Sequence, residues 1–335
     1  MLISGSPYRI NTSVAGRFPI YPTPRKEHGG TVSWCRLLLG HQNRFVGEVM
    51  AENVVEQRPR QHQDHQPGKR EEMVPPPSDC AADYRGSGKL KGRIALVTGG
   101  DSGIGRSVAI CFAKEGADVA IVYLDEDRDA AEAKRLVEEQ GVKSFLLAGD
   151  VSDEAFCRDA IEKTVAKLGR LDILVNNAAV QFPEKEFTGI DAGQLERTFR
   201  VNVFSMFHLT RFALPHLKSG AAIINTASIT AFAGNPKLID YSSTKGAIVS
   251  FTRSLAKAVV KDGIRVNAVA PGPVWTPLIP ASFDAEDVAK FGSGNPMGRA
   301  AKADEISPCF VFLATQDSVF VTGQVIHANG GEYFG

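Results

Sequence analysis

The stretch Thr98-Gly99-Gly100-Asp101-Ser102-Gly103-Ile104-Gly105 follows directly on the apolar run Ile94-Ala95-Leu96-Val97. A glycine-rich octet alone is compatible with an ordinary turn, so its flanks decide the reading. The run before it reads as a strand and Ile104 to Lys114 after it reads as a helix, the context in which such a stretch wraps a diphosphate. Gly99 lets the chain turn without a Cβ clash, Gly103 lets backbone N–H groups approach a pyrophosphate, and Gly105 lets the helix lie close to the strand. The helix N-terminus then offers its partial positive charge to an anion.

Further along, short β-branched runs alternate with longer amphipathic segments. The runs are Ile94 to Val97, Val119 to Tyr123, Ser144 to Ala148, Ile173 to Val175, Ala222 to Asn225, Arg265 to Ala270 and Val325 to Ala328. Their apolar character without strict alternation predicts strands covered on both faces, hence a parallel sheet between layers of helices. The intervening segments are long enough for right-handed crossover helices. A single α/β domain over 89–335 is the expectation, and no internal repeat is visible.

Upstream of residue 89 the composition changes. Residues 1–49 lack periodicity and hold only Glu27 and Glu48 as acids, against Arg9, Arg17, Arg25, Lys26, Arg36 and Arg44. That bias has two readings, an organelle-targeting peptide or translation from upstream of a native start at Met50, and the second is favoured here. Residues 50–88 are rich in Gln, Pro, His, Gly and charge and cannot build a core alone. Pro75-Pro76-Pro77 excludes helix, so the stretch reads as an extended arm along the domain or a neighbouring subunit.

Of the 335 residues 43% are apolar and the formal net charge is +0, which argues against a nucleic-acid or anionic-membrane partner. The five cysteines, Cys35, Cys80, Cys111, Cys157 and Cys309, are scattered, with no C-x-x-C pair. No histidine cluster has metal-ligand spacing, so no metal site is expected and the cysteines read as reduced thiols in a cytoplasmic protein. No run approaches the ~20 apolar residues of a membrane span. An enzyme acting on a small molecule fits this balance.

Downstream, Tyr241-Ser242-Ser243-Thr244-Lys245 places a phenol and an ammonium four residues apart. If Tyr241 to Ala258 is helical, both project from one face. A free phenol has a pKa of about 10, and a fixed cation nearby favours the phenolate. Ser228 ends the fifth strand, where its hydroxyl could hold a carbonyl oxygen beside Tyr241. A Tyr and a Lys at this spacing are by themselves more often a solvated helix face; the combination with the octet makes them a site.

The motifs together resemble the short-chain dehydrogenases/reductases. The resemblance covers Lys89 to Gly335 and rests on Thr98-Gly99-x-x-x-Gly103-x-Gly105, Asp150-Val151, Asn176-Asn177-Ala178-Ala179, Asn202, Ser228, Tyr241-x-x-x-Lys245 and Pro271-Gly272-x-x-x-Thr276. Ala179 stands where that family usually has glycine. Ser78-Asp79-Cys80, Gly86-Ser87-Gly88-Lys89-Leu90 and the ending Gly330-Gly331-Glu332-Tyr333-Phe334-Gly335 are similar to a bacterial aldehyde-reductase subgroup and to plant glucose/ribitol dehydrogenase homologues.

The resemblance implies a Rossmann-type doubly wound domain with a seven-stranded parallel sheet, and hydride transfer between a nicotinamide and a carbonyl or alcohol carbon. It implies Asn202, Ser228, Tyr241 and Lys245 as the catalytic set: Tyr241 exchanges the proton, Lys245 lowers its pKa and holds the ribose, Ser228 holds the carbonyl oxygen, and Asn202 holds a water. The bland reading of Asn202 is a buried amide tying down a helix kink, and the two are compatible. Thr98, Gly99, Asp101, Ser102, Gly103, Ile104 and Gly105 are assigned to the cofactor, with Tyr123, Leu124, Asn177 and Ala178. Asp150 would accept from the adenine amino group while Val151 packs on the ring, although Asp150 could instead cap the helix after Ser152. Pro271, Gly272, Val274 and Thr276 would contact the pyrophosphate and carboxamide, and Asn176 would brace strands. Phe182, Trp275, Leu278 and the loop to Phe291 are expected to line a pocket of mixed polarity.

Aldehyde reduction is the leading activity, ahead of polyol or sugar oxidation and 3-oxoacyl reduction; a nucleotide sensor and a protein that docks partners on its arm are the non-enzymatic rivals. An acid about 20 residues after the glycines would mark an NAD enzyme. Here that place is Tyr123, with Leu124 next and Asp125 expected on the same side of an extended chain, about 6–7 Å further on. Arg106 at the helix start is the candidate to reach a 2′-phosphate. The subgroup resemblance leans to NADP(H), with NAD(H) as the alternative. A homotetramer with two-fold symmetry is expected, built from helices around Leu195 to His216 and Tyr241 to Ala258, whose Phe199, Phe204, Phe207, Phe212 and Phe251 supply apolar faces.

Overall fold

The structure, a computed structural model, describes residues 55–335. The expectations for residues 1–49, for a start at Met50 and for Cys35 lie outside the described residues.

Each apolar run forms a strand: β1 (Ile94–Thr98), β2 (Asp118–Tyr123), β3 (Ser144–Ala148), β4 (Ile173–Asn176), β5 (Ala222–Thr226), β6 (Arg265–Pro271) and β9 (Val325–Ala328). They make one sheet in the order β3-β2-β1-β4-β5-β6-β9, every neighbour parallel. β1, β4, β5 and β6 are buried along their whole length, whereas the edge strands β3 and β9 are mostly half-buried. That gradient is why the central runs carry no polar alternation. A short separate pair, β7 (Val274–Trp275) and β8 (Ala301–Lys302), lies in the loops after β6.

Two helical layers close the faces. Val97, Ile121 and Val175 point to the layer containing Phe112 and Phe310, and their neighbours Leu96, Ala120 and Leu174 point to the layer containing Ile161 and Leu209. The first layer holds α1 (Gly103–Lys114), α2 (Asp127–Glu138) and α9 (Ala303–Ala314). The second holds α3 (Glu154–Leu168), started by the Asp153 side chain, which accepts from Ala155 N. Next come α4 (Ala192–Phe199), a wide π turn at Arg200–Phe204, and α5 (Ser205–Ala213). α6 (Thr230–Ala233) precedes the 21-residue α7 (Ile239–Val259), and α8 (Ala285–Lys290) follows β7. Along α7 the positions Tyr241, Thr244, Lys245, Ile248, Val249 and Thr252 are buried, a stripe at the helical period. No helix among the described residues is long and apolar enough to cross a membrane.

Residues 55–88 run along this domain with one short turn, Arg70–Glu72. Gln57 N and Gln63 N donate to the carbonyls of Ala289 and Pro280, both at 2.8 Å. Near its end the arm is fastened to buried Glu115, whose carboxylate accepts from Tyr84 Oη at 2.5 Å, Ser87 N at 3.0 Å and Lys89 N at 2.9 Å.

Candidate active site

The strand order reverses between β1 and β4, the switch point outside which open α/β sheets bind ligands. A cavity of about 530 Å³ lies there. It is lined by Gly99, Asp101, Ser102, Gly103, Ile104, Tyr123, Leu124, Asp150, Val151, Asn177, Ala178, Ser228, Tyr241, Lys245, Pro271, Gly272, Val274 and Thr276. Three predicted residues stand behind its wall and shape it.

Thr98 Oγ1 accepts from Asn177 N at 2.9 Å and Ala178 N at 3.0 Å, and Asn177 Nδ2 returns a bond to Thr98 O at 3.0 Å. This latch ties the glycine loop to the loop after β4. Gly105 lies against it so closely that a Cβ would stand 1.9 Å from Gly99 O, and Gly103, at φ +53°, would put a Cβ 3.0 Å from Thr276. A side chain at Gly103 would crowd the cradle, and one at Gly105 would force the glycine loop away from the helix. Asn202, in the π turn, accepts from Val180 N at 2.8 Å and donates to Val180 O at 2.9 Å. Its amide therefore fixes the cavity wall at Val180, which is the tying-down role. Asn176 Nδ2 donates to Asn225 Oδ1 at 2.9 Å, bracing β4 against β5.

Tyr241 and Lys245 are both buried on α7. Lys245 Nζ donates to Thr226 O at 2.8 Å and stands 5.2 Å from the Tyr241 ring centroid. Burial pushes the phenol up to about 12, against the opposing effect of the Ser228 hydroxyl beside it. Burial likewise pushes the ammonium down to about 7. In this arrangement the ammonium is turned to a backbone carbonyl, and burial acts on the phenol and the ammonium in opposite directions.

At the other end of the cavity the structure departs from the extended-chain reading of Asp125 and from the reach given to Arg106, and the alternative that Asp150 caps a helix is not taken. β2 stops at Tyr123 and the chain bends at 124–125, so Asp125 is exposed and Glu126, not Asp125, enters the cavity. Burial pushes the Glu126 carboxyl up to about 8, with Asp125 and Asp101 adding to it, and its Oε2 has no hydrogen-bond partner. Asp101 is raised by burial to about 6. Arg106 is 1% exposed and enclosed by Asp79, with Nε 3.8 Å from Asp79 Oδ1; a guanidinium so held cannot reach a 2′-phosphate. Asp150 does not cap α3, a place Asp153 takes. Its two oxygens accept from Ser152 N at 2.8 Å and Arg197 at 2.7 Å. Burial works against its ionisation, yet these donors hold it below the usual range.

On the substrate side, Leu278 and Phe291 line the cavity as expected, with Ile229, Asn235, Ile279 and Phe283. Phe182 and Trp275 do not. Phe182 packs into the core layer, and Trp275 Nε1 donates to Pro75 O of the arm at 2.9 Å, its ring covered by Arg58 at 4.5 Å. Sequence reasoning missed Glu126, Arg197, Gln181 and the arm residues Pro67 and Gly68, all of which line the cavity. Only Glu126 had a signal, an acid just past the strand end.

A glycine cradle that a side chain would crowd and a buried carboxyl oxygen lacking a donor fit a nicotinamide dinucleotide, and with the Ser-Tyr-Lys cluster they define a dinucleotide-dependent oxidoreductase. The chain belongs to the short-chain dehydrogenase/reductase family: a family model described as enoyl-(acyl carrier protein) reductase matches residues 99–332. The uncharacterised oxidoreductase YhdF of Bacillus subtilis (strain 168) is 58% identical over 273 residues, 82% of this chain and 94% of that one. The NADPH-dependent aldehyde reductase 1, chloroplastic, of Arabidopsis thaliana is 48% identical over 81% of this chain and 97% of that one. Among solved structures, a short chain dehydrogenase from Burkholderia cenocepacia J2315 in complex with NADP matches with a TM-score of 0.69 at 29% identity, over 72% of this chain and 98% of that one. The protein is an NAD(P)-dependent dehydrogenase/reductase.

Proposed function

We propose that this enzyme reduces aldehydes. The observation that supports this reading is the 48% identity to a relative named as an NADPH-dependent aldehyde reductase; in reduction the Tyr241 hydroxyl, buried beside Ser228, is the proton donor. The nicotinamide supplies the hydride. Ser228 donates a hydrogen bond to the carbonyl oxygen, Tyr241 gives the proton as negative charge develops there, and Lys245 in its ammonium form holds the ribose and offsets the phenolate left behind. Asn202 serves them by fixing Val180. The wall of Ile229, Leu278, Ile279, Phe283 and Phe291 suits an apolar aldehyde body.

For the cofactor, the reading is NADP(H) near neutrality with NAD(H) as the second cofactor. The aldehyde reductase similar to this chain is named as NADPH-dependent. A Glu126 still protonated at neutral pH can donate to a 2′-phosphate, and once ionised it repels the phosphate and accepts from a 2′-hydroxyl. The assembly proposed is a homotetramer with two-fold symmetry. Phe204 and Phe207 are 44% and 54% exposed, and Phe207 packs at a tilt against Phe251 with centroids 4.6 Å apart, an apolar face of the kind oligomers bury.

Initial rates over a panel of aldehydes, polyols and 3-oxoacyl thioesters, with both cofactors, test the substrate reading. Aldehydes should give the highest kcat/KM; a higher value for polyol oxidation would replace it with a polyol dehydrogenase.

A further inference from the structure

The arm does more than lie on the surface. Traced from residue 57, it touches in turn the loop after β6, the loop after β4, the start of α2 after β2, and the glycine loop after β1. Gly68 packs on Pro277 so tightly that a Cβ would stand 2.2 Å from Pro277 O and 2.9 Å from Ala281 Cβ. Gln66 grips the opposite side: its Nε2 donates to Gln181 O at 2.7 Å and its Oε1 accepts from Gln181 N at 3.3 Å. Arg70 N donates to Asp129 Oδ2 at 2.9 Å. Asp79, fully buried, accepts from Arg70 Nε at 2.9 Å and, through its other oxygen, from Gly103 N at 3.1 Å.

These anchors stand on both sides of the switch point between β1 and β4, and Pro67 and Gly68 line the same cavity as the glycine loop. A dinucleotide in that crevice would lie against Pro67 and Gly68. We propose that residues 63–79 form a strap closed over the cofactor cleft, with Gln66 as its clasp, and that Asp79 is a positioning residue through which the strap, by accepting the Gly103 N–H, fixes the shape of the glycine loop that lines the cleft. The proposal rests on the dinucleotide binding that family membership establishes and not on the substrate proposed above.

The strap has a kinetic signature. A side chain that only contacts the cofactor changes its dissociation rate, whereas a barrier across the only path changes entry and exit together. The test is stopped-flow fluorescence of NADPH binding and displacement with the full chain. Gln66→Ala should raise both rates by about tenfold, the worth of its lost hydrogen bonds, and leave Kd nearly unmoved. Gly68→Ala, which forces the strap from Pro277, should also raise both rates, with Kd free to move because residue 68 lines the cleft. Asp79→Asn should weaken dinucleotide binding more than it slows hydride transfer in a single turnover. Exchange rates unchanged in both strap variants, or a rise in dissociation alone, would overturn the strap. An equal loss in binding and hydride transfer for Asp79→Asn would overturn the positioning role.

Discussion

Lys245 offers the sharpest test of the site, because burial alone sets its charge. With its pKa pushed down to about 7, the ammonium is whole below pH 6, falls to about a tenth at pH 8 and to about a hundredth at pH 9. If the ammonium form is the one that holds the ribose and offsets the Tyr241 phenolate, kcat/KM for the cofactor is level in acid and falls tenfold per pH unit above 7. NADH is the cofactor to use, run also with Glu126→Gln so that ionisation of Glu126 against the 2′-hydroxyl is separated from that of Lys245, and kcat/KM for the cofactor reports the free enzyme. Lys245→Met should be slow and should lose the fall. Stability gives an independent readout. The unfolded chain keeps this proton up to the ordinary 10.5 while the folded chain releases it above 7, so unfolding takes up protons between those values and this group's contribution to stability rises with pH. Below pH 7 the folded chain bears the full penalty, on the order of 5 kcal/mol. Lys245→Met should therefore raise Tm, most at pH 6 and least at pH 10. A profile for the native enzyme that stays flat to pH 9, or a fall that persists in Lys245→Met, would refute the reasoning.

Tyr241→Phe removes one hydroxyl from a buried ring and should lower turnover by about 10²- to 10⁴-fold while Kd for the dinucleotide, followed by fluorescence titration, changes little. Glu126→Gln should raise the ratio of kcat/KM for NADPH over NADH by roughly tenfold at pH 9 and leave it nearly unchanged at pH 6.5, below the value of about 8 at which Glu126 ionises; an equal effect at both pH values would dismiss charge as the cause. Sedimentation equilibrium at micromolar concentration should give four times the chain mass, and Phe207→Asp should give a smaller species; a monomeric mass for the native chain would remove the proposed assembly.

The fold was legible because its central strands are covered on both faces. Such strands leave unbroken apolar runs, and all seven runs became strands within a residue or two of the expected ends. The cradle was legible for a related reason: Gly103 and Gly105 occupy places where a Cβ meets Thr276 or Gly99 O, so sequence and backbone carry the same constraint. Side-chain direction past an element's end was not legible. Reading Asp125 as a continuation of β2 failed because the chain bends at 124–125, and one residue of bend exchanges which acid faces the cavity. The state of Tyr241 and Lys245 was hidden too, since spacing on a helix shows that two groups share a face but not how deeply that face is buried.

The arm shows the same limit from the other side. Its composition offers it no core, and among the described residues its buried apolar positions are Met73, Pro77 and Ala81, with Gly68. It is ordered instead by single polar groups of the domain, each serving several donors: Glu115 receives Tyr84, Ser87 and Lys89, and Asp304 receives Ser78 Oγ and Ala81 N, both at 2.9 Å, with Ser107 at 2.7 Å. A buried carboxylate without donors is costly, so the domain needs the arm as much as the arm needs the domain. Neither partner's half of such a bargain has a periodicity, which is why Trp275, read as substrate wall, turned out to bond the carbonyl of Pro75. The arm thus contacts both the loop after β6 and the glycine loop, and if the strap is as proposed, substitutions in residues 57–81 should be read through the cofactor before they are read as surface changes.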